Sequence, residues 1–201
     1  MSEDIIQILQ TMDRGELEMQ LALQCSPLLA GLKLSNLLII ESEKEKAVKY
    51  LFRNSGISGK ILYREKGKSV IYLYRYDELE AYLKDVRIQK FMEEQGYGGM
   101  SVREVLKEFA RRYRKSRKNC QDFPHEMGIL LGYPLEDVQG FMKNNGKNDL
   151  YSGYWKVYSN LSETLELFDQ FNQAKEMMIR FLYAGVHISE MIQWKNRRIV
   201  E

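Results

Sequence analysis

The stretch from Phe123 to Tyr158 constrains the fold more than any other part of the chain. It holds two of the three prolines, Pro124 and Pro134, with glycines at 128, 132, 140, 146 and 153. Each proline is followed by a short periodic apolar pattern, and a proline in the first turn of a helix forfeits no helical hydrogen bond. Two short helices joined by a tight turn at Gly132 are therefore expected, a helical hairpin over residues 124–143.

The segment from Glu126 to Gly132, followed by Leu135 to Met142, has the spacing of a helix-turn-helix. Its second helix argues against nucleic acid, because Glu136 and Asp137 stand where a groove-reading helix presents donors, and phosphate repels them. Carboxylates in a first turn instead complement the helix dipole. A packed helical hairpin is the plainer expectation.

At 201 residues with a formal net charge of +2, the chain is read as a single globular domain over 1–201. The charge is too mild to imply nucleic acid or an anionic membrane on its own. Two cysteines, no apolar leader and no apolar run of spanning length point to a cytoplasmic protein with reduced thiols and no membrane partner.

Leu37 to Ile40 suits a buried strand, and Lys60–Arg64 with Ser69–Arg75 suits a hairpin turning at Gly67. Val70, Tyr72 and Tyr74 share one face of the second hairpin strand, and Ile71 and Leu73 the other, so this strand is expected at the centre. Tyr154–Tyr158 reads as a late strand. Capping boxes are expected at Ser42/Glu45, Asp77/Glu80, Ser101/Glu104 and Asn160/Glu163. A long helix follows Asn160, with Leu161, Leu165, Phe168, Phe171, Met178 and Leu182 as its core stripe, and a short last helix carries Ile188, Met191, Ile192 and Trp194. The expected class is α+β, a small, mainly antiparallel sheet of about four strands covered by about eight helices.

Chemistry-bearing residues are few. Cys25-Ser26-Pro27 reads as a thiol just before a proline-started turn that Gly31 ends, which would raise its thiolate fraction and leave N–H groups free for an anion. Ser26 and Lys33 are then candidate ligand contacts, with Lys156 further along. His125, at a helix start, is the candidate base for Cys25 if the two are neighbours. Cysteine is also among the most buried residue types, which is the structural reading of Cys25. The helix after Ser101 carries Arg111, Arg114, Lys115 and Lys118 among eight cations against Glu104 and Glu108, a basic face for an acidic partner. Cys120 and His125 lack the paired spacing of a zinc site, and Gly96-Tyr97-Gly98-Gly99 lacks the pattern of a phosphate loop, so neither metal nor cofactor is assigned.

The ordered motifs Cys25-Ser26-Pro27, Leu29-Ala30-Gly31-Leu32-Lys33, Phe123-Pro124-His125-Glu126-Met127-Gly128, Leu131-Gly132-Tyr133-Pro134 with Asp137-Val138, Gly140-Phe141 and Trp155-Lys156-Val157-Tyr158 resemble a bacterial family. It is the family of domains of unknown function numbered thirty-seven ninety-three, and the resemblance covers nearly the whole chain. It brings no activity, cofactor or catalytic residue. It implies an anaerobic bacterial setting and an association with flavodoxin-type redox partners, which a basic face would suit. Ala174 stands where the resemblance leads one to expect cysteine, which weakens a redox pair or metal site. Three functions follow: a non-catalytic binding or accessory module for a small anionic ligand or acidic partner, a thiol-dependent enzyme using Cys25 and His125, and a nucleic-acid binder built on the hairpin.

Overall fold

The computed structural model describes residues 2–119 and 123–192, so Cys120 and Trp194 lie outside the described residues. Strands β1 (Ser35–Glu41), β2 (Ile57–Glu65) and β3 (Lys68–Arg75) form an antiparallel sheet in the order β1-β3-β2. The strand with apolar bulk on both faces is thus the central one. Ile71 and Leu73 enter one core, and Tyr72 enters the other.

The first core packs α1 (Glu3–Thr11), α2 (Leu17–Leu29) and α3 (Glu45–Leu51) on the Ile71 face, with Ile5, Met19, Leu21, Leu28 and Leu38 buried. The second covers the Tyr72 face with α4 (Tyr76–Leu83), α5 (Val86–Met92), α6 (Val102–Asn119), α7 (Glu126–Leu130) and α8 (Leu135–Lys143). The Tyr72 hydroxyl (2.5 Å) and the Ser35 hydroxyl (2.6 Å) both donate to the Leu130 carbonyl, which ties the end of α7 to the sheet. Such carbonyls lack helical partners and need outside donors when buried.

Strands β4 (Tyr151–Ser152) and β5 (Lys156–Val157) precede α9 (Leu161–Tyr183), whose Phe168 and Phe171 form a third core with Trp155 and Val157. The far end of α9 returns to the first core through Met178 and Ile179, and a helical segment at 188–192 adds Ile188 and Ile192.

The α+β class holds, with differences of detail. The late strand does not join the main sheet; it is two residues long and pairs only with β4. It stops there because the N–H groups of Tyr158 (2.8 Å) and Ser159 (2.9 Å) donate to the Asp137 carboxylate instead of a neighbouring strand. Of the expected capping boxes, Ser101/Glu104 forms in both directions. Elsewhere the acids are used differently: Glu45 holds Arg64 and Ser69, and Asn160 has no side-chain cap bond. Leu165 is exposed, and Thr164 takes its place on the buried stripe of α9.

Each rim of the main sheet is capped at one point by a side chain. Gln24 on α2 donates its amide to the Ile39 carbonyl (3.0 Å) and accepts from the Ile39 N–H (2.9 Å), matching a strand's pairing along β1. On β2 the register shifts between Ile61 and Tyr63, leaving Leu62 as a bulge whose carbonyl accepts from Arg114 Nε at 2.9 Å.

Candidate functional site

The turn expected to begin at Ser26 is the last part of one continuous helix, α2, with Pro27 inside it. The Ser26 hydroxyl donates to the Ala22 carbonyl within that helix. Gly31 (φ +73°) ends it as expected: its N–H meets the Leu28 carbonyl (3.0 Å) and the Leu32 N–H meets the Pro27 carbonyl (2.8 Å). Cys25 is therefore not at a helix start, and its sulfur is fully buried against β1, 3.8 Å from the Leu37 carbonyl and 3.6 Å from Asn36 Nδ2. Burial pushes its thiol up to about 12, away from the thiolate. Ser26 is equally enclosed.

Lys33 is half-buried beside this thiol. Its ammonium donates to Asn36 Oδ1 (3.3 Å) and sits 5.2 Å over the Tyr133 ring, and desolvation pulls its pKa down to about 8. Tyr133 is the link to a different place, a cleft of about 220 Å³ walled by Met127, Tyr133, Val138, Phe141 and Trp155. His125 and Lys156 stand at the same cleft, so the structure brings these two together while Cys25 lies in the first core.

The hairpin sequence builds this cleft by close packing. A Cβ at Gly128 would come within 2.7 Å of Val138 Cγ2, and one at Gly140 within 2.5 Å of Tyr158 Cβ. The two glycines let α7 approach α8 and let the chain after β5 approach α8. Asp137, buried in the first turn of α8, then holds the cleft's aromatic wall. Its Oδ2 accepts from Trp155 Nε1 (2.7 Å), and its Oδ1 accepts from the N–H groups of Tyr158 and Ser159 and from the Ser159 hydroxyl (3.1 Å). Trp155 stacks on Tyr133 with ring centres 4.9 Å apart. The cleft is therefore rigid and mostly apolar. Lys156 donates to the Gly146 carbonyl (2.7 Å) and to Asp149 (3.1 Å), so its charge is largely answered within the protein. The His125 ring lies 5.8 Å from that of Phe141.

Neither acid in the first turn of α8 is offered to a nucleic acid groove. Asp137 is consumed by the clamp, Glu136 pairs with Arg87 at 3.0 Å, and Leu135 and Val138 are buried. The hairpin is packed into the protein as a wall.

The basic helix α6 is more divided than its sequence suggests. Arg112 stacks over Tyr97 at 4.4 Å and reaches the buried carboxylate of Glu126 (3.2 Å), which also accepts from the Tyr97 hydroxyl (2.8 Å). Arg111 holds Glu108 through two bonds of 2.7 Å, and Arg114 serves the Leu62 bulge. Arg103, Lys107, Lys115 and Lys118 are exposed. Among the described residues no three His, Cys, Asp or Glu gather as a metal site, and no helix is long and apolar enough to cross a membrane.

Three residues of the site escaped the sequence: Asp137 as a clamp, and Phe141 and Tyr133 as cleft walls. The signal for Phe141 was present, since an apolar residue beside a glycine in a helix marks a close approach. Compared with known proteins, residues 21–192 match the family described as "Protein of unknown function (DUF3793)". No curated protein and no solved structure matches.

Proposed function

The chain belongs to the DUF3793 family, and from that premise we propose that it is a non-catalytic binding module holding a small, flat, anionic molecule in the aromatic cleft. The observation that carries this reading is the cleft itself: a concave apolar site preformed by Tyr133, Phe141 and Trp155, with His125, Lys156 and the Asp137 carboxylate, itself taken up by Trp155, Tyr158 and Ser159, as its polar groups. Its volume is below that of drug-sized pockets, which favours a single ring system. Lys33 supports it from behind through Tyr133, and Ser26 has only a packing role. A thiol mechanism gains no support, because a sealed, protonated sulfur is neither nucleophile nor metal ligand. The reading sets the protein in the cytoplasm, where an unpaired cysteine stays reduced.

Ligand-observed NMR of the full chain with a panel of flat aromatic acids tests this. Binding is expected to weaken about tenfold in Phe141→Ala, roughly the worth of one lost stacking face. Equal binding by that variant would sink the reading.

A second reading has its own observation. The exposed cations of α6 suit an acidic protein such as a flavodoxin-type carrier. Titration with such a carrier should show an affinity that falls with salt and is lost in the Lys107→Ala, Lys118→Ala double variant.

A further inference from the structure

Two depressions meet at His125. One is the aromatic cleft; the other is an open groove of about 410 Å³ between the C-terminal half of α6 and the chain entering α7, and Phe123, Pro124 and His125 line both. Their chemistry differs sharply. The groove carries Arg111, Arg112 and Lys115 beside the carboxylate of Glu126. That carboxylate is 3% exposed and already accepts from Tyr97 and Arg112, so it offers little negative charge to the groove. Arg111 and Lys115 are exposed, one helical turn apart on α6. Arg111 is held by Glu108 in a bidentate pair, so it meets an anion in the groove by sharing its guanidinium, while Lys115 adds a second cation.

On the reading that the cleft holds a flat ring, we infer that the ligand is a heteroaromatic phosphate monoester of the nucleoside monophosphate class, with its base in the cleft and its phosphate in the groove. His125, Phe123 and Pro124 form a shared wall, so the ring site and the anion site adjoin. A dianion suits this groove because a guanidinium and an ammonium flank it. Arg binds phosphate oxygens through its planar fork, and Lys adds a point charge. The ring's own recognition comes from stacking, which is tolerant of base identity.

The test is calorimetric titration of the full chain with adenosine 5′-monophosphate, adenosine and inorganic phosphate, at low and at physiological salt. The monophosphate is expected to bind about tenfold or more tighter than adenosine, with that advantage shrinking as salt rises. The Arg111→Ala, Lys115→Ala double variant should lose the advantage and keep the adenosine affinity. Both residues are exposed, and an unchanged melting temperature checks that the variant is folded. Equal affinity for nucleoside and monophosphate overturns the phosphate assignment while leaving the ring cleft standing. Phosphate alone binding as tightly as the monophosphate also overturns it, by reducing the site to an anion contact. If neither adenosine compound binds while flat aromatic acids do, the nucleotide class is wrong; if nothing flat binds, the cleft reading falls with it.

Discussion

Cys25 and His125 stand beside similar sequence signals, one two residues before a proline and the other just after one, yet Cys25 is sealed and His125 lines a cleft. The difference lies in what precedes the proline. Leu17 to Gln24 already form a helix that runs on through Pro27, so Cys25 falls mid-helix and turns into the core against β1. Phe123, the residue before Pro124, is not helical, and α7 begins at Glu126 with His125 at its rim. A proline marks a helix start only when its upstream neighbours are not already in one. The chemistry follows from that geometry: the buried thiol is held protonated, and the rim imidazole joins an open aromatic wall.

The sharpest way to break this contrast is to remove the cleft's clamp. Asp137→Ala should cost about 3–5 kcal/mol in urea unfolding, because the Trp155 indole N–H and two backbone N–H groups lose their acceptor in a buried place. A loss under about 1 kcal/mol would mean that water replaces the carboxylate and the wall is softer than described. Next in size, Gly140→Ala should cost about 2–3 kcal/mol by overpacking against Tyr158, where the clashing atoms are close to the backbone and cannot swing away. Gly128→Ala should cost less, since its one severe clash is with a methyl of Val138, with Tyr133 at ordinary contact distance.

On the sealed side, native protein treated with a thiol reagent near pH 8 should leave Cys25 unlabelled by peptide mass mapping, and urea should expose it. Rapid labelling without denaturant would erase the contrast. The smallest effect concerns Lys33. Its folded pKa of about 8 is below the ordinary lysine value of 10.5, so the unfolded chain binds more protons across that interval and stability from this group rises with pH there. Cys25 and Tyr133, both raised to about 12, act oppositely once pH passes their ordinary values of 9 and 10. The difference between wild type and Lys33→Met isolates the lysine: the variant should be relatively most stabilised below pH 8 and lose that advantage toward pH 10. A flat difference curve would show that the ammonium is solvated.

Much of the fold was legible because it rests on local pattern. The two apolar faces of Ser69–Arg75 placed β3 at the centre, and Gly31 ended α2 in the way its position implies. The cleft was partly legible, since Pro124, Gly128, Pro134 and Gly140 marked a constrained segment, but its purpose depended on contacts between distant elements. Asp137 reads in sequence as a dipole-complementing first-turn acid. Only the return of the chain at Trp155 to Ser159 makes it a clamp. The capping boxes failed where a stronger tertiary partner was in reach, as Arg64 was for Glu45.

The side chains that cap one point on each sheet rim have a consequence at high concentration. A three-stranded sheet exposes two rows of backbone groups that neighbouring chains can extend into fibrils, and natural proteins guard such edges with side chains and bulges. Gln24 answers the middle of one row and the Arg114–Leu62 contact answers the kink of the other. Arg114, whatever α6 docks, thereby also occupies a carbonyl on the β2 rim that an incoming strand would need.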